Sequence, residues 1–283
     1  MRKSVKFTVS VIAVILVVAV LPSLCGAQTG WQDRDNRNVF NFETYQVSPK
    51  SSMYTFWTTA MFLSGRYTVV DNVGVVAELP VAHSGIDGIS GFGTDVSASQ
   101  WMIGNPYLGI DLKSGDGALT AELGFRPPLG AESKYDAALI GTMASLDRPG
   151  AFIPNAWSLS GMIGYRRLMS NGVVLQVRGG PVFLDPTDRR HSEAETYLHY
   201  AGRVGYQNAS YSMLVGLSGL YRASSLDGLE LGFAERSIHS FEAIGHIRLG
   251  SVQPGLRVVI PLDKDQTDVF DAIYGLNIGF LID

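Results

Sequence analysis

The chain has 283 residues, of which 46% are hydrophobic and 17% charged, with 32 glycines and one cysteine. Glycine stands above the usual ~7% and charge below the usual ~25%, which argues against a disordered chain, and a single cysteine excludes a disulfide scaffold. A formal net charge of −4 with no basic block gives no electrostatic footprint for nucleic acid and leaves a membrane or an apolar solute as the expected partner.

Residues 1–27 read as a secretory signal. Arg2, Lys3 and Lys6 form a positive start, Phe7 to Leu21 is an apolar or small run, Pro22 breaks it, and Cys25-Gly26-Ala27 offers small residues for cleavage after Ala27. A lipid anchor on Cys25 is the weaker alternative, because Leu24 precedes it where a small residue is wanted. Cleavage removes the only cysteine, so the exported chain must rely on burial, hydrogen-bond closure or lipid rather than disulfides. Residues 28–37 read as a periplasmic tail and 38–283 as one domain.

After residue 27 no apolar run approaches the ~18–20 residues of a spanning helix. Alternation with period two recurs instead. In chain order it predicts strands near 38–47, 52–68, 73–83, 98–113, 118–129, 156–168, 173–184, 196–206, 210–222, 237–250, 253–262 and 271–282. The last is the clearest: Tyr274, Leu276, Ile278, Phe280 and Ile282 alternate with small or polar residues. Connections alternate between short turns and longer loops, the pattern of an outer-membrane barrel with periplasmic turns and outer loops. The expected fold is therefore all-β, a transmembrane antiparallel up-and-down barrel of about 12 strands. Tyr67, Tyr165, Tyr206, Tyr211 and Phe280 near short turns, with Trp157, Tyr221 and Tyr274 near long loops, would form two aromatic girdles on the lipid face. Outer-membrane lipid and lipopolysaccharide are then partners, and the C-terminal strand is the expected contact for barrel-assembly machinery.

Four outward-running strands carry proline near their outer ends, at Pro80, Pro127-Pro128, Pro181 and Pro261. Proline removes a ladder hydrogen bond, so these positions read either as strand ends or as a partly open wall through which an apolar solute passes sideways. The loop at 130–155 places Leu139, Met143 and Leu146 at helical spacing. A short amphipathic helix there caps the lumen, lies at the lipid boundary or contacts an apolar solute.

Lumen parity collects Glu43, Glu78, Asp111, Glu122 and Glu242 against Arg66, Arg126, Arg166, Arg178, Arg203, Arg222, Arg248 and Arg257, with His199, His246, Asn105 and Gln176 on the same face. A 12-strand barrel is wider than one that side chains just fill and narrower than a water channel. These charges therefore cross-link the interior as ion pairs, or form a constriction that selects small polar or anionic solutes.

Gly65 to Pro80 (GRYTVVDNVGVVAELP), then Gly104-Asn105-Pro106-Tyr107-Leu108-Gly109, Gly124-Phe125-Arg126-Pro127-Pro128 and Phe152-Ile153-Pro154-Asn155-Ala156-Trp157 carry a resemblance. Across about residues 60–170 the chain resembles the outer-membrane barrel family associated with meta-pathway phenol degradation. The resemblance implies a barrel that moves small hydrophobic compounds and brings no catalytic residues.

Other motifs are weaker. Ser237 and His239, with Glu235 nearby, share the lipid-facing parity near the outer rim and hold the minimal parts of a lipid hydrolase, but Ser-x-His spacing is cheap in a strand. Asp263, Asp265 and Asp268 begin like a calcium loop without its glycine or distal glutamate. Asn208-Ala209-Ser210 matches a glycosylation sequon only by composition. The reading is a non-enzymatic channel or transporter of small, hydrophobic or aromatic molecules in the outer membrane of a Gram-negative-type bacterium. It needs no cofactor, metal or nucleic acid. A sealed structural or surface-interaction barrel is the rival.

Overall fold

The computed structural model describes residues 38–50, 59–86, 98–187, 193–224 and 234–282. The expected leader and tail lie outside them, as do the start of the strand expected over 52–68 and parts of the loops expected at 84–97, 185–195 and 223–236. Thirteen strands form one sheet: β1 Asn38–Pro49, β2 Thr59–Val70, β3 Val73–Ile86, β4 Ala98–Ile103, β5 Tyr107–Lys113, β6 Leu119–Arg126, β7 Ala156–Leu168, β8 Val173–Pro186, β9 Glu195–Gln207, β10 Tyr211–Arg222, β11 Ser237–Ile247, β12 Val252–Pro261 and β13 Phe270–Ile282. A helix, α1 Tyr135–Ala144, lies between β6 and β7, and one turn of helix, α2 Lys264–Thr267, between β12 and β13.

Every pairing is antiparallel, and β1 pairs with both β2 and β13, so the sheet closes on itself. Closure removes the free edges that an open sheet exposes. β4 and β5 both pair with β3 and occupy one position in the wall, which makes the ring a closed 12-strand barrel. The period-two pattern is the cause. Leu108, Ile110 and Leu112 on β5 are exposed while Asp111 between them is fully buried, and on β13 Tyr274, Leu276, Ile278, Phe280 and Ile282 are exposed while Ile273 and Asn277 are buried. The apolar face therefore points outward, the reverse of a soluble barrel. On that face Tyr206 stacks near Tyr211 and Phe40 near Phe280 at the short-turn end, with ring centroids 5.9 and 6.4 Å apart. Phe125 and Trp157 lie 6.3 Å apart at the opposite end.

The single strand expected over 98–113 is broken. On β3, Val81 pairs with Ile103 and Glu78 with Tyr107, so three steps on one side face four on the other. One extra residue enters the wall, as in a β-bulge. The cause is Gly104-Asn105-Pro106. Pro106 has no N–H for the ladder, and Asn105 turns its N–H away from the wall to the Ala151 carbonyl at 2.7 Å. The prolines divide accordingly. Pro127 and Pro261 mark strand ends, whereas Pro80 and Pro181 lie inside β3 and β8. The β2–β3 ladder runs unbroken past Pro80, and on its other side the loop after β6 backs the break.

Asn105 fastens that loop. Its fully buried amide reaches the carbonyls of Gly150, Ile153 and Ala156 at 2.9, 2.7 and 3.2 Å, and its carbonyl oxygen accepts from the N–H groups of Leu129 and Gly130, both at 2.8 Å. One side chain thereby joins both ends of the segment to the wall. Asn105→Ala strands several of these groups at roughly 1–3 kcal/mol for each left unsatisfied. The expected result is a lower temperature for conversion of the compact band to the unfolded band in unheated-sample gel electrophoresis; an unchanged transition would contradict the clamp.

Candidate functional site

Between β6 and β7 the chain folds into the barrel rather than over it. α1 packs against β1, β2, β3 and β4 and buries Ala137, Ala138, Gly141 and Ala144. The expected face of Leu139, Met143 and Leu146 is not the buried one. Leu139 is exposed, while Met143 and Leu146 are partly buried against the core. The reason is distance: a Cβ added at Gly141 would sit 2.4 Å from the Phe152 ring, so only small side chains fit there. A ten-residue helix is marginal in water, and this one is held by packing.

The long-loop half of the interior is apolar. Tyr45, Val47, Phe62 and Met102 from the wall meet Phe152 and the α1 alanines from the loop, with Phe270 and Ile273 from β13 beside β1. The Phe62 ring contacts Tyr45 and Phe152 edge-on, with centroids 5.8 and 5.7 Å away. Such pairs contribute about 0.5–1.5 kcal/mol beyond area burial.

Beside this cluster lies a charged layer. Arg148, from the loop, sits over the Phe62 ring at 3.9 Å, donates to Glu43 at 2.7 Å and lies 3.0 Å from Glu78. Its neighbour Asp147 pairs with Arg257 at 3.0 Å. Arg257 also reaches Glu242 at 3.1 Å, which takes Arg203 and Ser218 as well. Arg126 bridges Glu78 at 2.7 Å and the Asn105 carbonyl at 2.9 Å. Towards the short turns, Arg66 holds Asp111 at 2.8 Å through Nε, and Arg178 lies 3.3 Å from Glu122, which also accepts from the Tyr107 hydroxyl at 2.5 Å. The Tyr107 ring fills the space a side chain at Gly124 would need.

All five acids and five of the eight arginines assigned to the lumen by parity have side chains at most 10% exposed or are buried outright. The exceptions lie at the ends or in a turn. Arg222 pairs with Glu195 at the long-loop end and is half-buried. Arg248 departs from the expectation: β11 stops at Ile247, and Arg248 stands in the following turn with its N–H on Ser210 at 2.7 Å. Arg166 bonds Gln207 rather than an acid at that contact. His199 and Gln176 are buried in the interior as expected. Strand parity gave no sign of Asp147, Arg148 or Phe152, because loops have no parity. The adjacent pair Asp147-Arg148 at the end of an apolar loop segment was the one available signal.

Burial alone would raise the Asp147 carboxyl, but Arg257 and Arg148 outweigh it and hold Asp147 well below the usual carboxylate range. Burial likewise opposes the charge on Arg148, and Glu43 and Glu78 more than offset it.

On the outer face, the His239 ring meets Tyr200 and Asp263. Its Nε2 lies 2.7 Å from the Tyr200 hydroxyl and its Nδ1 3.1 Å from Asp263, whose other oxygen accepts from the His239 N–H. Ser237 is buried. Both ring nitrogens of His239 are thus engaged by Tyr200 and Asp263, and Asp263 anchors the strand through the His239 N–H. Among the described residues no group of three or more His, Cys, Asp or Glu is placed to hold a metal ion.

No family model matches the chain, and no curated protein matches it in sequence. Solved structures do. The chain is similar to an outer membrane channel from Pseudomonas putida F1, with a TM-score of 0.59 and 14% identity over 87% of this chain and 96% of that one. LpxR from Salmonella typhimurium gives 0.53 and 10% over 86% and 100%. The translocator domain of the autotransporter NalP from Neisseria meningitidis gives 0.53 and 9% over 98% and 97%. At such identities the likeness establishes the fold: a closed antiparallel barrel of the outer-membrane type.

The Asp147 contact carries a pH signature. A carboxyl held low in the folded protein contributes stability above its unfolded value of about 3.9 and loses it as pH falls towards the folded value. Protease cleavage within 129–155 should therefore stay flat from about pH 8 to 5 and rise only below about pH 4. Asp147→Asn should show faster cleavage at neutral pH and a weaker acid dependence. Equal pH profiles for the two proteins would remove Asp147 as the cause.

Proposed function

We propose that this barrel resides in the outer membrane of a Gram-negative-type bacterium and passes small molecules, with hydrophobic or aromatic compounds favoured. The short turns face the periplasm, residues 1–27 are removed on export, and β13 is the segment offered to the assembly machinery. The observation that carries the reading is the loop that packs into the interior through Arg148, Asp147 and Asn105. Beside it Tyr45, Phe62, Phe152 and Met102 form a packed apolar cluster, whose displacement would present a surface suited to an aromatic ring. The resemblance over residues 60–170 to barrels associated with phenol degradation supports the same cargo. The P. putida structure, described as a channel, is compatible with it.

The continuity of the ion-pair layer favours a second reading, a sealed structural or surface-interaction barrel. Planar bilayers and liposomes loaded with the purified protein separate the two. The channel reading expects conductance steps and uptake of phenol or toluene above protein-free controls. Arg148→Ala, which breaks a buried pair worth about 3–5 kcal/mol when one partner is lost, should increase both by loosening the loop. Absence of conductance and of aromatic uptake in both proteins would overturn the channel and leave the sealed barrel.

A further inference from the structure

Between the ion pairs and the short turns, one side of the interior is built from neutral polar side chains. β1, β2, β10, β11, β12 and β13 place Asn41, Ser64, Ser212, His246, Gln253 and Asn277 there, His246 half-buried and the others buried. The ladders make them one row. Ser212 opposes His246, His246 opposes Gly255, and Gly255 opposes Asn277. Two residues on along β13, Gly279 opposes both Gln253 and Asn41, and Asn41 opposes Ser64. The two glycines make the room: a Cβ at Gly255 would lie 2.3 Å from Asn277 Oδ1, and one at Gly279 would lie 2.7 Å from Asn41 Oδ1.

His246 hydrogen-bonds Asn277, but several other groups in the row are unpaired. Asn41 is fully buried, yet neither its Nδ2 nor its Oδ1 has a partner among the described residues, and the same holds for Asn277 Nδ2 and Ser64 Oγ. Glu43, opposite Asn277 in register, keeps its Oε1 without a partner too. Native interiors rarely leave such groups unpaired, and an amide has two donors and two acceptor sites to fill. At the short-turn end of the row opens a cavity of about 10 Å³, lined by Ser212, His246 and Gln253 with Asn208 and Arg248 from the turns. Beyond the Arg203–Glu242–Arg257 pairs, on the same strands, lies a second of about 10 Å³, lined by Ser218, Ser240, Glu242 and Arg257. Each has about the room that one water needs.

We propose that this row is a water-binding site, and that with the two cavities it forms a narrow water passage along the β10–β13 side of the barrel. The binding claim stands apart from the channel reading; the passage claim extends that reading from aromatic solutes to water. Amides and hydroxyls offer donors and acceptors without net charge, so they replace the hydrogen bonds of water and not the hydration of an ion. A water bridging two such groups is nearly as favourable as a direct hydrogen bond. The size of the two cavities admits water and excludes a ring, which places the aromatic route on the Phe62 and Phe152 side of the interior.

The site is tested with Asn41→Leu in the purified full chain, because Asn41 has no protein hydrogen bond to lose. If its amide is dry, leucine removes an unpaired polar group and raises the temperature at which the compact band converts to the unfolded band. If its amide is held by water, that temperature falls by roughly 2–4 °C; an equal or higher value overturns the site. A crystal structure of the unaltered chain gives a measurement independent of the variant: ordered water should lie within about 3.2 Å of Asn41 Nδ2 and Asn277 Nδ2, and none at either overturns the site. In stopped-flow osmotic shrinkage, liposomes carrying the protein should lose water several-fold faster than protein-free liposomes, and Asn41→Leu/Asn277→Leu should remove at least half of the gain. Ordered water without faster efflux, or efflux unchanged in the double variant, sustains the site and overturns the passage. Water efflux without uptake of phenol or toluene sustains the passage and removes the aromatic channel, so the two failures are distinct.

Discussion

Arg148 carries its charge into the barrel on a segment that belongs to neither neighbouring strand, and what it meets there organises the rest. Glu43 comes from β1 and Glu78 from β3, so a single guanidinium ties two wall strands separated by β2 to the chain between β6 and β7. A carboxylate pair in that position without a cation would be costly, because charges taken from water need compensation. The face of the guanidinium lies on Phe62, which joins the charged layer to the apolar cluster. Displacement of this one side chain would uncover two acids and an aromatic surface together. The loop, the cluster and the charge layer are therefore one mechanical unit.

The wall was legible in the sequence because a strand facing lipid on one side and protein on the other must alternate. Leu108-Gly109-Ile110-Asp111-Leu112 shows this within five residues, and closure follows once each strand has two neighbours. The parity argument failed only where the chain stops alternating. Over 98–113 the apolar positions on both sides of Gly104-Asn105-Pro106 suggested one continuous strand, yet the parity before and after differs by one, and that offset is the inserted residue. In α1 the error had another source. Helical spacing identified Leu139, Met143 and Leu146 as one stripe, but the space beside Phe152 admits only small side chains, a tertiary constraint that spacing cannot report. Most of the charged residues read as inward-facing are buried, yet their partners were not legible, since pairing depends on register around the ring.

The interior is layered. Aromatic and aliphatic side chains gather around Phe62 and Phe152, and ion pairs lie beside them and on towards the short turns.

The pairing of β1 with β13 sets the order of events in time. Asn38 opposes Ile282 and Val47 opposes Ile273, so the seam joins nearly the first and last described residues. Loop-closure entropy grows only slowly with length, but contacts between such distant segments form late and make folding slow. Until the last strand arrives, β1 and β12 each present an open row of backbone donors and acceptors, and an enclosed lumen does not yet exist. The chain must therefore be complete and shielded from its neighbours before the interior can be assembled, and a truncation that removes only β13 would expose two adhesive edges rather than a slightly smaller barrel.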